Sequence, residues 1–179
     1  MTIHAMIDIE TLGTEPECVV MSVGAVKFDP YSNNEPYDKK HWKLDIDSQC
    51  EKGRIIRDDT LRWWAKQEEN VRESAFSEHD RVYLGDFFKE LNKWCVGVQE
   101  IWCQGPQFDM VILENLYKQF KSHHNWAYWQ IRDSRTLFAL LPEDPRKAVQ
   151  EDLHDALADA YWQATCVQQA YKSFNILPR

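Results

Sequence analysis

The sequence lacks any apolar run long enough to cross a membrane. Its longer apolar stretches, such as Val19-Val20-Met21, end far short of the ~20 residues that a bilayer-spanning helix needs. Glycine and proline number only 6 and 7 in 179 residues, which excludes a fibrous or low-complexity chain. No basic segment followed by an apolar one opens the sequence, so no secretory leader is predicted. We therefore expect a soluble, cytoplasmic protein with no membrane partner.

Positive charge is also scarce. Lysine and arginine total 21 against 29 aspartates and glutamates, which gives a formal net charge of −8. A chain this acidic does not coat polyanions through bulk electrostatics, so histone-like nucleic-acid binding is excluded. Hydrophobic residues make up 44% of the chain and aromatic residues 13%, which predicts a packed core. The length predicts one domain that spans residues 1–179.

The five cysteines never occur as a C-x-x-C pair, and their number is odd. This usage predicts free thiols in a reducing compartment. A zinc site is an alternative, with Cys95, Cys103, His123 and His124 as ligands. Structural zinc sites bring paired ligands at shorter spacings than Cys95 and Cys103 offer, so the sequence favours free thiols.

Hydrophobic periodicity predicts an α/β fold with a mixed five-stranded sheet flanked by helices. The predicted strands are 3–9, 18–28, 41–46, 100–103 and 129–132. The predicted helices are 58–75 with breaks, 83–96, 108–121, 134–141 and 153–171. No internal repeat and no linker interrupts this pattern.

Two acids stand two residues apart in the first predicted strand. Asp8 and Glu10 alternate with Ile7 and Ile9, so both carboxylates lie on one face of the strand. That arrangement can chelate a divalent cation. The alternative is a half-buried strand with a solvated polar face.

Asp109 follows the turn Gly105-Pro106 and opens a predicted helix just after a strand. Ligands often gather at the carboxyl ends of strands in α/β sheets. The alternative role is ordinary, because an aspartate in the first turn of a helix complements the helix dipole.

His154 and Asp159 flank the start of the last predicted helix. Five residues correspond to ~500° of helical rotation, so the two side chains would diverge by ~140° if both were helical. We therefore predict that His154 precedes the regular helix. Ala158 and Ala160 leave space beside the Asp159 carboxylate for an ion or a substrate. A solvated helix face is the alternative explanation.

Together these motifs resemble those of a known enzyme family. The series Asp8-Ile9-Glu10, Phe108-Asp109 and His154-x4-Asp159 is similar to the three motifs of DEDDh-type, DnaQ-like 3′–5′ exonucleases. Finer features resemble the subgroup that contains phage exonuclease A and a mycobacterial-type 3′–5′ exoribonuclease. These features are Glu10-Thr11-Leu12-Gly13, Thr60-Leu61-Arg62-Trp63-Trp64 with Gln67, and Arg132-Asp133-Ser134-Arg135-Thr136-Leu137. The resemblance implies a ribonuclease H-like fold.

The resemblance also implies an activity and the residues that carry it. Two Mg²⁺ or Mn²⁺ ions would activate the attacking water and stabilise the leaving oxygen of a phosphodiester. His154 would act as the general base. The products would be nucleoside 5′-monophosphates, removed from the 3′ end of single-stranded nucleic acid or 3′ overhangs, and the enzyme could be a homodimer. The implied metal ligands are Asp8, Glu10, Asp109 and Asp159.

Further residues are predicted to contact the substrate. Tryptophan can stack on a terminal base, but the side chains of Trp63 and Trp64 point ~100° apart on a helix, so one of them should belong to the core. Arg135 could bind a phosphate or pair with Asp133 and Asp29. We assign Trp126, Trp129 and Trp162 to packing or to an interface. The full set of predicted substrate contacts is Thr11, Leu12, Gly13, Trp63, Trp64, Gln67, Phe108 and Arg135.

Three alternatives for the function remain open at the level of sequence. A DNA exonuclease is slightly favoured over an exoribonuclease, since no residue in the sequence indicates a contact to a 2′-hydroxyl group. A catalytically inactive nucleic-acid-binding module of the same fold is the third. A glycine-rich nucleotide-binding turn is absent after the first strand, which argues against a Rossmann domain.

Overall fold

A computed structural model of the protein describes residues 2–148 and 154–178. These residues form a mixed sheet of six strands in the order β4-β3-β2-β1-β5-β6. Strand β2 is antiparallel to both of its neighbours, β1 and β3, whereas β5 is parallel to β1, β6 to β5, and β4 to β3. The strands are β1 (His4–Thr11), β2 (Val20–Phe28), β3 (Tyr37–Leu44), β4 (Arg81–Val82), β5 (Glu100–Cys103) and β6 (Ile131–Asp133).

The sheet therefore has six strands rather than the five expected. The additional strand, β4, comprises only Arg81 and Val82 and pairs with the end of β3, so it is too short to leave an alternating pattern. Strand β3 begins at Tyr37, four residues before the start that the sequence predicts at residue 41. Its first five residues are exposed, because this half of the strand has no buried face that would demand apolar residues.

In the described part of the chain, seven α-helices flank the sheet. Most lie within two or three residues of their predicted bounds, although α1 was not predicted and the helix expected over 58–75 is divided in two. A 3₁₀ turn over Tyr128–Gln130 occupies part of the strand predicted at 129–132. The helices are α1 (Asp47–Glu51), α2 (Asp58–Trp64), α3 (Glu69–Phe76), α4 (Leu84–Trp94), α5 (Asp109–Gln119), α6 (Ser134–Ala139) and α7 (Ala156–Ser173).

The two faces of the sheet pack against different helices. Ala5, Ile7 and Ile9 of β1 belong to a core with residues of α4 and α5. Met6, on the opposite face of β1, packs with residues of α6 and α7. Because side chains alternate along a strand, Asp8 and Glu10 share the face of Met6 and point towards α7. The sheet thus presents both acids to the helix that carries Asp159.

Helix α7 begins at Ala156, and its last residue is Ser173. The predicted start at Leu153 lies outside the described residues. No helix in the described part of the chain is both long and apolar enough to span a bilayer.

Candidate active site

Four acids and one histidine from three elements converge at one end of the sheet. Asp8 and Glu10 come from the carboxyl-terminal half of β1, Asp109 from the first residue of α5, and Asp159 from the first turn of α7. The antiparallel pairing of β1 with β2 sets Asp8 opposite Gly24, where the sheet meets the start of α7. All five residues predicted for catalysis thus lie in described parts of the chain.

Asp8 lies at the centre of the carboxylate cluster. Gln163 of α7 donates a hydrogen bond of 2.9 Å from Nε2 to Asp8 Oδ1. Burial, followed by the charges of Asp109, Glu10 and Asp159, raises the pKa of Asp8 well above its usual range, while the bond from Gln163 lowers it. A carboxyl group in such surroundings favours a neutral state unless a cation joins it.

Glu10, His154 and Asp159 form a compact set of donors. One ligand atom from each lies within 4.8 Å of the other two. Burial, together with the charge of Asp159, raises the pKa of Glu10 to about 8. Burial likewise raises the pKa of Asp159 to about 6. Because hard oxygen donors dominate the cluster and repel one another, the residues fit a divalent cation such as Mg²⁺ or Mn²⁺.

His154 stands just before α7, as its spacing from Asp159 predicts. Its backbone adopts a left-handed conformation with a φ of 71°, and its N–H donates to Asp159 Oδ2 at 3.1 Å. Asp155, the next residue, caps the helix by accepting a hydrogen bond from the Ala158 N–H. Burial lowers the pKa of the His154 imidazole, so the ring is neutral at pH 7 and can accept a proton.

Asp109 is 4% exposed at the amino-terminal end of α5. Burial raises its pKa to about 7, although its own backbone N–H, that of Ile9, and the charge of Arg135 oppose this rise. The effect of the Ile9 N–H on this pKa indicates that the Asp109 carboxyl group lies next to β1, beside the residue between Asp8 and Glu10. Asp109 therefore belongs to the cluster and does more than complement the helix dipole.

A cleft of about 690 Å³ opens beside the carboxylates. Trp63, which is 41% exposed, lines it, and its ring centroid lies 4.6 Å from that of His154 in an edge-to-face arrangement. Thr11, Gly13 and Phe108, three of the predicted substrate contacts, also line the cleft. The walls of the cleft provide an indole next to the histidine.

Of the four other predicted contacts, Leu12, Gln67 and Arg135 do not line the cleft, and Trp64 lines it from a buried position. Trp64 is 2% exposed and donates from Nε1 to the Thr11 carbonyl, so it supports the cleft wall from the core. Leu12 packs in the same core cluster, where its buried side chain is not available to contact a base. Gln67 donates from Nε2 to the Trp63 carbonyl and stabilises the end of α2. Arg135 lies outside the residues that line the cleft and donates to the Gln104 carbonyl.

The sequence assigns Trp126, Trp129 and Trp162 to packing or to an interface and predicts the cysteines as free thiols. Trp126 is buried, with its Nε1 donating to Glu114, whereas Trp129 is 66% exposed. Cys95 and Cys103 are both buried in the core. Among the described residues, Cys95, Cys103, His123 and His124 do not form a group of donors close enough to share a metal ion, so the alternative zinc site is not formed.

Sequence reasoning missed three residues of this region. Gln163 holds Asp8, Gly24 makes room for α7, and Arg57 enters the cleft beside Gly13. Each depends on contacts between distant segments, which no local pattern reveals. For Gly24 one signal was available, because a glycine in the middle of a Val-rich strand often marks a close approach of another backbone segment.

The comparison with protein families agrees with this geometry. The family model described as the 3′–5′ exoribonuclease Rv2179c-like domain matches residues 3–171. The chain belongs to this family. The resemblance to DEDDh-type exonucleases and to their phage and mycobacterial-type subgroup is thereby confirmed.

A phage relative supports the same placement of this Rv2179c-like chain. The exodeoxyribonuclease of Enterobacteria phage T4 is 24% identical over 156 residues, which cover 73% of this chain and 68% of the phage protein. The name of the phage relative thus refers to DNA as the substrate, whereas the description of the family model refers to RNA.

Solved structures establish the ribonuclease H-like fold of DEDDh exonucleases for the Rv2179c-like chain. E. coli exonuclease I in its zinc-bound complex with single-stranded DNA superposes with a TM-score of 0.67 at 15% identity, over 98% of this chain. The match spans only 42% of exonuclease I. The nuclease domain of 3′hExo, a DEDDh family member bound to rAMP, superposes with a TM-score of 0.61 at 12% identity, over 96% of this chain and 92% of that domain.

Proposed function

We propose that the protein is a metal-dependent 3′–5′ exonuclease. It removes nucleoside 5′-monophosphates from the 3′ end of single-stranded nucleic acid or 3′ overhangs. The observation that carries the proposal is the meeting of five groups, Asp8, Glu10, Asp109, His154 and Asp159, beside a cleft with an exposed indole. Membership of an exoribonuclease family supports the direction and the reaction type.

The four carboxylates hold two Mg²⁺ or Mn²⁺ ions. When bound, such ions activate water and stabilise the leaving oxygen of the phosphodiester. The raised pKa values of Glu10, Asp109 and Asp159 support this assignment, because a shared cation would stabilise the ionised form of these buried carboxyl groups. Gln163 keeps Asp8 in position through its hydrogen bond.

His154 accepts the proton of the attacking water at a ring nitrogen. Its lowered pKa keeps the ring neutral before the reaction, and the Trp63 edge restricts its rotation. The hydrogen bond from its backbone to Asp159 ties the base to a metal ligand, so the two groups move together. The terminal nucleotide occupies the cleft between Trp63 and Phe108, with its phosphate at Glu10.

Single-stranded DNA is the first candidate substrate and RNA the second. The name of the phage T4 relative and the DNA in the exonuclease I complexes favour DNA. The name of the matching family favours RNA. In this proposal residues 1–179 act as one domain. The protein forms a homodimer and is located in the cytoplasm.

A panel of substrates tests this function. Single- and double-stranded DNA and RNA with a 5′ label are incubated with the protein and Mg²⁺ or Mn²⁺. The proposal predicts shortening from the 3′ end, and the matched DNA and RNA strands rank the two candidates by rate. Metal-dependent binding without shortening of any substrate would favour the inactive binding module and contradict the enzyme.

A further inference from the structure

We infer that Arg57 reads the edge of the terminal base, so that the enzyme removes some 3′-terminal nucleotides faster than others. This inference rests on the proposed function. It assigns to the same cleft a specificity-determining residue, and it commits to bases that present two adjacent hydrogen-bond acceptors. Guanine presents O6 and N7, and cytosine presents O2 and N3.

Arg57 has a fixed place in the cleft. Its backbone N–H donates to the Leu12 carbonyl at 2.8 Å, which ties the segment before α2 to the end of β1. Its Cγ lies close to the position that a side chain on Gly13 would occupy. Among the described residues that line the cleft, Arg57 alone is basic, whereas Glu10, Glu15 and Asp59 are acidic.

Glu15 fixes the orientation of the guanidinium group. Arg57 Nε lies 2.7 Å from Glu15 Oε1, and the Thr14 N–H donates to the second carboxylate oxygen of Glu15 at 3.2 Å. A guanidinium bound through Nε still has its two Nη groups facing outward as a fork. The Arg57 side chain is 51% exposed, so this fork is open to a ligand in the cleft.

The contents of the cleft point to a base rather than a phosphate as the partner of that fork. The scissile phosphate must lie at the carboxylate cluster. Glu10 belongs to this cluster and also lines the cleft. A terminal nucleotide ends in a hydroxyl group and has no phosphate beyond the scissile one. Its sugar and base are therefore what remains for Trp63, Phe108 and Arg57 to contact.

The chemistry of the fork selects the base. Two parallel N–H donors match two adjacent acceptors, and the pairing of arginine with guanine O6 and N7 is the most frequent specific contact of this kind. Adenine offers an amino donor beside its acceptor, and thymine or uracil offers an N3–H donor between two carbonyls. These bases leave one arm of the fork without a partner.

The experiment measures kcat/KM for removal of the last nucleotide from four single-stranded DNA oligonucleotides that differ only at the 3′-terminal base. The wild-type protein is compared with Arg57→Met and with Arg57→Lys, which keeps the charge but loses the fork. Arg62→Met is the matched control, because Arg62 lies on α2, is 72% exposed, and does not line the cleft. Melting temperatures of all variants verify that they fold.

We expect the wild-type protein and Arg62→Met to remove guanine and cytosine nucleotides at least about fivefold more efficiently than adenine and thymine nucleotides. Both Arg57 variants should lose this ratio. Equal wild-type rates, or an unchanged ratio in Arg57→Met or Arg57→Lys, would overturn the inference. An equal loss on all four oligonucleotides would also overturn it, since this is the behaviour of a phosphate contact. Absence of wild-type activity on all four would overturn the proposed function itself.

Discussion

Gly24 and the backbone of Ala156 touch so closely that no side chain fits between them. A Cβ on Gly24 would lie 2.1 Å from the carbonyl carbon and oxygen of Ala156. Gly24 pairs with Asp8 across β1 and β2, and Ala156 is the first residue of α7. This contact therefore sets the distance between the acids of β1 and the residues His154 and Asp159.

Gly24→Ala is predicted to reduce both stability and activity. The helix start must move to admit the methyl group, and such overpacking typically costs about 1–3 kcal/mol of the free energy of unfolding. The movement also separates His154 from Glu10, so kcat should fall. Thermal unfolding and a trimming assay measure the two effects.

Gly85→Ala provides the control for that substitution. Gly85 lies in α4, and a Cβ there meets nothing within 4 Å. Alanine is the better helix former, so we expect unchanged or slightly raised stability, by up to about 1 kcal/mol. Equal behaviour of the two variants would contradict the role given to Gly24.

The carboxylate cluster predicts how pH affects the stability of the metal-free protein. The folded pKa values of Glu10, Asp109 and Asp159 are about 8, 7 and 6, above the unfolded values of roughly 4. A carboxyl group with a higher pKa in the folded than in the unfolded protein contributes its full stability at pH values below the unfolded pKa. That contribution is lost as the pH rises through the folded pKa. With a chelator present, these groups should therefore destabilise the fold progressively between about pH 4 and 8.

Glu10→Gln isolates this effect, because it removes one raised carboxyl group and leaves the histidines in place. The stability of the wild-type protein relative to Glu10→Gln should fall as the pH rises, and saturating Mg²⁺ or Mn²⁺ should reverse the fall. Thermal unfolding at several pH values measures the difference. A difference that is independent of both pH and metal would refute the cation site.

His154→Ala is expected to lower kcat by about 10²–10⁴-fold, the usual contribution of a general base. The fold should persist, because His154 is only partly buried and lies outside the regular helix. The same substitution at His123, an exposed residue, serves as the control. Full metal-dependent trimming by His154→Ala would remove His154 from the mechanism.

Trp63→Ala should weaken substrate binding. Stacking of a base on an aromatic ring contributes about 1–3 kcal/mol, which corresponds to a rise in KM of about 5- to 150-fold. Trp129→Ala is the matched control, because Trp129 is 66% exposed and does not line the cleft. Steady-state kinetics on one oligonucleotide compare the two variants, and equal KM values would exclude Trp63 as a stacking platform.

The sequence predicts those parts of the site that depend on short-range geometry. Strand alternation orients Asp8 and Glu10 to one face, and the rotation of a helix requires His154 to precede α7. Both are found. The adjacency of Trp63 and Trp64 likewise requires one indole in the core, and burial identifies it as Trp64.

The features that the sequence could not predict depend on which segments meet. Leu12 follows the motif acids, yet its side chain packs with Val19 and Met21 in the core. Arg57 reaches the cleft only because its backbone pairs with that of Leu12. Strand β4 exists because the end of β3 offers it a partner, and two residues are too few to show a period.

The most direct test of the central claim is the product released by the wild-type protein and by Asp8→Asn from one single-stranded oligonucleotide with a 5′ label. We predict that the wild-type protein, with Mg²⁺ or Mn²⁺, releases nucleoside 5′-monophosphates and leaves a ladder of labelled strands. Asp8→Asn, or the wild-type protein with a chelator, should leave the strand intact. Release of mononucleotides by Asp8→Asn at the wild-type rate would contradict the account.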